Sequence, residues 1–167
     1  LVFACMAFQS DNDLTQKIKE ANLVIDLPSK DWSLADKQNI PSNEMTVYFY
    51  SRKSILDSKS INVGPFISII IEDVQKDLDI TKYAIAKNIT TPFKTIEVLT
   101  PENGKLRYTN SIGFKGSYVG KYDIEHTIFV VYAIKKGKGF HMICDVTTEL
   151  IDKVETEFLS TILSIRE

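Results

Sequence analysis

The chain has 167 residues, 44% of them hydrophobic and 25% charged, with a formal net charge of −2. That length suits one domain able to bury about two-thirds of the surface its unfolded chain exposes, and the composition excludes a disordered or collagen-like chain. Lys and Arg are scattered, so no basic stripe points to nucleic acid, and no run approaches the ~20 apolar residues of a membrane-spanning helix.

The opening decapeptide, Leu1-Val2-Phe3-Ala4-Cys5-Met6-Ala7-Phe8-Gln9-Ser10, is apolar and stops at Asp11-Asn12-Asp13. It reads as the tail of a secretory hydrophobic region with its cleavage zone, which implies export. Val2-Phe3-Ala4-Cys5 is close to a lipoprotein box, so Cys5 is a candidate for lipidation and membrane tethering. Phe3 departs from the small residue usual there, and cleavage after Ala7 or a few residues later is the alternative. A third reading keeps the segment in the mature fold. Under either cleavage Cys144 stands alone inside an apolar run, where a small buried hydrophobe is expected and no disulfide. Residues 1–10 are therefore assigned to a signal remnant, 11–20 to a tail or short helix, and 21–167 to a single domain.

Asp13 to Glu20 reads as a polar helix or tail. Leu23–Leu27 reads as a strand ended by Pro28, with a turn leading to Trp32, and residues 36–44 read as a loop around Pro41. Met45–Tyr50 and Pro65–Glu72 are strands by β-propensity, separated by a polar loop from Ser51 to Ser60. Asp79 can cap a helix from about Ile80 to Ile89 that turns Tyr83, Ala86 and Ile89 (or Ile85) inward and ends at Thr91-Pro92. Thr95–Leu99 and Lys105–Tyr108 flank Asn103-Gly104, the signature of a hairpin. Gly113, Gly116 and Gly120 suggest a bent or bulged strand.

The last forty residues are the best patterned. Thr127–Ile134 and Phe140–Cys144 flank Lys135-Lys136-Gly137-Lys138-Gly139, and a turn on Gly137-Lys138 would pair Lys136 with Gly139. Phe129, Val131, Ala133, Phe140, Met142 and Cys144 then share one face; Ile128, Val130, Tyr132, Ile134, His141 and Ile143 share the other. Both faces are apolar, which predicts cover on both. A helix from Thr147 to Ile165 follows, capped by Thr147 or Asp145, with Leu150, Ile151, Val154, Phe158, Ile162 and Ile165 as its apolar stripe and Arg166 at its negative end. The expected fold is α+β: an antiparallel sheet with helices on both faces.

Leu23-Val24-Ile25-Asp26-Leu27-Pro28-Ser29-Lys30-Asp31-Trp32 at one end resembles the entry strand and turn of the PsbP superfamily, the fold of the extrinsic oxygen-evolving enhancer protein of photosystem II. Cys144-Asp145-Val146-Thr147 leading into Phe158-Leu159-Ser160-Thr161-Ile162-Leu163-Ser164-Ile165 is similar to its final strand and helix. The resemblance runs from Ala21 onward and rests on order and hydrophobic pattern rather than a catalytic signature. It implies an α/β/α sandwich and a role in binding or assembly. The long basic arm of the photosynthetic members is not in this sequence, so no photosystem role is implied.

Chemistry is sparsely signalled. His126 and His141, with Asp123, Glu125 and Asp145, are the natural metal candidates. The expected register sets His141 opposite Ile134, eight residues from His126, about 26 Å along a strand and too far for one zinc. The acid pairs Glu72-Asp73 and Asp77/Asp79 read as solvated ends or caps, and Asn88-Ile89-Thr90 is a glycosylation sequon. Tyr48, Tyr50, Tyr108, Tyr118, Tyr122 and Tyr132 lie on or beside strands and serve as packing or contact residues. No catalytic residue, cofactor site or metal site is assigned. The expected function is an exported, non-enzymatic binding or assembly factor in the periplasm or at the outer face of the cell envelope. It would act on an unidentified protein partner, not nucleic acid, as a monomer or weak dimer. The alternative is a small hydrolase or hydrophobic-ligand carrier with a cleft between sheet and helix.

Overall fold

Runs rich in β-branched and aromatic residues form strands because such side chains pack well on a pleated surface. The computed structural model describes residues 14–90 and 93–167. Its strands are β1 (Thr15–Ile18), β2 (Leu23–Asp26), β3 (Trp32–Ile40), β4 (Met45–Arg52), β5 (Ile55–Leu56), β6 (Asn62–Val63) and β7 (Phe66–Asp73). Helix α1 (Ile80–Thr90) leads to β8 (Lys94–Leu99), β9 (Ser111–Val119), β10 (Glu125–Lys135) and β11 (Lys138–Thr147). A 3-10 turn at Thr148–Leu150 then opens into α2 (Ile151–Leu163). Seven strands make one antiparallel sheet in the order β3-β4-β7-β11-β10-β9-β8, while β1-β2 and β5-β6 form two small sheets.

The β10–β11 hairpin is the spine of the sheet. Its two-residue turn is Lys136-Gly137, with Lys135 opposite Lys138, and not Gly137-Lys138. Both turn residues take positive φ, which a two-residue hairpin needs to match strand twist. The shift moves every cross-strand partner by two and leaves the division of faces intact. Phe129, Val131, Ala133, Phe140, Met142 and Cys144 join the main core, into which α2 inserts Val154, Phe158 and Ile162. Phe158 packs between Trp32 and Phe129, with ring centroids 5.8 and 6.1 Å away. Ile128, Val130, Tyr132 and Ile134 form a second, smaller cluster with Tyr83 and Ala84 of α1.

The expected sandwich with helices over both broad faces is not what forms. The described residues are mostly β, and the two α-helices among them cover unequal areas. On the second face α1 packs chiefly over β9 and β10, reaching β7 only through its contacts with Glu72. Met45, Val47 and Phe49 of β4 and Phe66 and Ile70 of β7 point to the same face, stand outside both clusters and remain partly exposed. Eleven residues of helix cannot span seven strands: at ~1.5 Å per residue α1 reaches ~16 Å, against ~28 Å across the sheet.

Several expected segments changed type. The 36–44 loop is mostly β3, an edge strand whose bulge between Leu34 and Asp36 suits its charged, exposed run. The 13–20 segment yields β1, and Ile18 is fully buried. The Asn103-Gly104 hairpin is absent: Asn103 Oδ1 instead accepts from Thr100 N at 3.0 Å, and β8 pairs with β9. Strand β9 keeps an unbroken register with β10, so its glycines mark close approach rather than a bulge. In α1, Asp79 caps as expected, accepting from Thr81 N at 2.9 Å. Its inward residues, though, are Tyr83, Ala84, Lys87 and Asn88, while Ala86, Ile85 and Ile89 are exposed. In α2 neither Thr147 nor Asp145 caps, and Arg166 pairs with Asp26 at 2.7 Å.

Candidate binding face

Register alone lays out the half of the second face that no helix among the described residues fully covers. Across β4, β7 and β11 the rows are Ser51–Phe66–Asp145, Phe49–Ser68–Ile143, Val47–Ile70–His141 and Met45–Glu72–Gly139. The patch is about 10 Å wide over three strands and about 20 Å long over these rows. Phe49 stacks on Phe66 with ring centroids 5.2 Å apart, and Phe49 is 36% exposed. The result is a shallow apolar strip between two polar clusters.

At one end lies a tie across three strands. Asp145, buried in β11, accepts from Tyr118 Oη of β9 at 2.6 Å and meets His126 Nδ1 of β10 at 2.7 Å. The Tyr118 and His126 rings stack at 5.0 Å. Burial and the neighbouring Asp145 carboxylate push the Tyr118 phenol well above its ordinary range. Asp145 holds the imidazole through Nδ1, while Nε2 lies beside Gly120, where a Cβ would stand 3.2 Å from it.

At the other end, beneath α1, His141 is 5% exposed and stacks on Tyr132 at 4.6 Å. Its Nε2 has no hydrogen-bond partner. Burial pushes its imidazole down to about 4; the Lys87 ammonium adds to this and the Glu72 carboxylate opposes it. Glu72 accepts from Tyr83 Oη at 2.8 Å and pairs with Lys87 Nζ at 2.5 Å, while Tyr132 Oη donates to Asn88 Oδ1 at 2.6 Å. These polar contacts, more than apolar burial, clamp α1 to the sheet.

His126 and His141 do not converge. His141 faces Tyr132 rather than Ile134, six residues from His126, about 20 Å along the strand. Among the described residues no three His, Cys or acidic side chains gather as a metal site. Glu125 and Asp123 stay exposed at the β9–β10 turn. Glu72 belongs to the α1 clamp and Asp73 pairs with Lys138. Asp77 is exposed. The Asn88 amide of the sequon is engaged by Tyr132. Tyr48, Tyr50 and Tyr132 are buried packing residues, Tyr108 packs against the main core, and Tyr122 is exposed. Cys144 is buried, and burial, then Asp145, raises its thiol pKa. Cys5 lies outside the described residues.

Two features carried no sequence signal. The Tyr118–Asp145–His126 tie joins residues up to 27 positions apart, although the hairpin register, once known, makes His126 and Asp145 diagonal neighbours. The other is a cleft of about 710 Å³ at the end of α2, lined by residues including Arg107, Tyr108, Ser160, Leu163 and Arg166. No helix among the described residues is long and apolar enough to cross a membrane.

No family model matches this chain, and no curated protein matches it. Among solved structures it is similar to LpqN of Mycobacterium tuberculosis, described as involved in cell envelope biogenesis, at 13% identity over 88% of this chain and 86% of that one, with a TM-score of 0.47. A likeness that loose assigns neither family nor function, and the PsbP resemblance gains no support from it.

Proposed function

We propose that this chain is an exported, non-enzymatic binding or assembly module of the cell envelope whose contact surface is the uncovered half of its sheet. The observation that carries the reading is the stacked Phe49–Phe66 pair, flanked by Val47, Ile70 and Ile143, on the part of the second face that no helix among the described residues shields. Exposed aromatic and aliphatic side chains grouped on one surface are what an interface core uses. The strip is shallow and open, which suits the surface of a protein partner better than a small molecule, since small ligands favour enclosed concave sites. Both sheet edges are bulged, at Leu34/Asp36 and Thr95/Glu97, which disfavours strand addition. The export part of the reading rests on the apolar run Leu1–Phe8.

The test compares immobilised wild type, Phe49→Asp and Leu56→Asp with detergent-solubilised envelope. Phe49 and Leu56 are both exposed apolar residues, but Leu56 lies on β5, away from the strip. A protein retained by wild type and Leu56→Asp, and bound at least about tenfold more weakly by Phe49→Asp when purified, supports the face. Equal retention by all three defeats it. The competing reading, a small hydrolase or hydrophobic-ligand carrier, draws on the cleft at the end of α2. A copurifying small molecule lost on Leu163→Asp, with Phe49→Asp silent, would favour it.

A further inference from the structure

The turn between β9 and β10 is built against its own backbone preferences. Tyr122 and Asp123 both lie in the left-handed region, with φ of 60° and 57°. Such turns favour Asn-Gly, because a side chain there crowds its carbonyl. The turn closes through Gly120 N donating to Ile124 O at 2.8 Å. Tyr122 is 90% exposed and joins neither apolar cluster. Folding therefore gains nothing from the ring that would offset its strained position, and strain of this kind gathers at sites that act.

A hole sits beside this knob. Phe93, Lys94, Ser117, Tyr118, Val119 and Glu125 line a cleft of about 530 Å³, within the range of ligand-sized pockets and with room for a phenol ring. Val119 and Ile124, both exposed, flank the knob and extend its apolar surface. Charges of both signs surround the pair: Lys94 and Lys121, Asp123 and Glu125. None of the four forms an ion pair among the described residues.

We propose that this tip is a self-association surface, in which Tyr122 of one copy enters the Phe93–Tyr118 cleft of a second and is answered by the reciprocal contact. A knob, a hole and balanced unpaired charges within one patch are what a two-fold interface requires, because the same surface must serve both partners. Tyrosine is a favoured anchor, burying a large rigid ring at little rotamer cost. The patch is small, so the dimer is weak and reversible. This surface is separate from the Phe49–Phe66 strip, so the two readings succeed or fail independently.

Sedimentation velocity of the full chain between about 10 μM and 1 mM tests it, the range for an interface at the small end. Wild type should shift toward a dimer with concentration, and less so as salt rises. Tyr122→Gly should stay monomeric throughout, while its melting temperature holds or rises by up to about 2–4 °C as the turn strain is relieved. Loss of dimer without loss of stability separates a contact role from a structural one. A wild type that is monomeric at every concentration overturns the proposal, as does a Tyr122→Gly variant that dimerises like wild type. Tyr122-dependent binding to phosphatidylglycerol vesicles without a dimer would also overturn it, in favour of a lipid surface.

Discussion

His141 is the residue whose environment departs furthest from its chemistry. Its imidazole is sealed between Tyr132 and α1, with Nε2 unpartnered, and burial holds its pKa down to about 4, from an ordinary 6.5. The folded state therefore resists a proton that the unfolded chain accepts. Above pH 6.5 neither state is protonated and no penalty exists. As pH falls from 6.5 to 4 the unfolded chain takes up the proton first, and stability drops by on the order of 3 kcal/mol. A His141→Phe variant keeps the ring stack and removes the orphan nitrogen. It should be more stable than wild type by about 1 kcal/mol at pH 7, and the gap should widen toward pH 4. Chemical denaturation at both pH values checks this; a constant gap would mean the imidazole is not the acid-sensitive group. Nothing at residue level in the sequence announced this, since a His in an apolar strand looks the same whether its second nitrogen meets water, a partner or neither.

At the scale of elements, periodicity served α2 better than α1. The stripe Leu150, Val154, Phe158, Ile162 is long enough to fix which side of α2 is buried. In α1 apolar residues fall on both sides, and the sheet chose Tyr83 and Ala84 because Glu72 and Tyr132 supply polar partners for Tyr83, Lys87 and Asn88. Strand β9 shows the reverse case, where glycines read as a bulge serve packing. A Cβ on Gly116 would strike the Phe93 ring and lie 2.8 Å from the Lys94 carbonyl oxygen, whereas one on Gly64 would meet nothing within 4 Å. Gly116→Ala should thus cost about 1–3 kcal/mol by overpacking, while Gly64→Ala stays within about 0.5 kcal/mol of wild type. Equal melting temperatures for the two variants would show that β8 yields to the added methyl.

For the molecule as a whole, stability should be graded from centre to flank. Strands β7, β11 and β10 are paired on both edges and carry the main core, while α1 buries little of itself and is fastened by side-chain polar contacts. Native-state hydrogen exchange should find the α1 amides opening with free energies several kcal/mol below those of β10 and β11. If α1 exchanges as slowly as β10, the second face is knitted more tightly than its contacts indicate. The amino-acid order by itself determined the strand runs of the hairpin, its two apolar faces and the buried stripe of α2, because alternation and 3.6-residue periodicity are local and survive without knowledge of partners. It did not determine how far the helices reach over the sheet, which residues α1 turns inward, or that Tyr118, His126 and Asp145 meet. Those depend on strand order and register, and so on which distant segments compete for the same surface, a choice settled only when the whole chain packs.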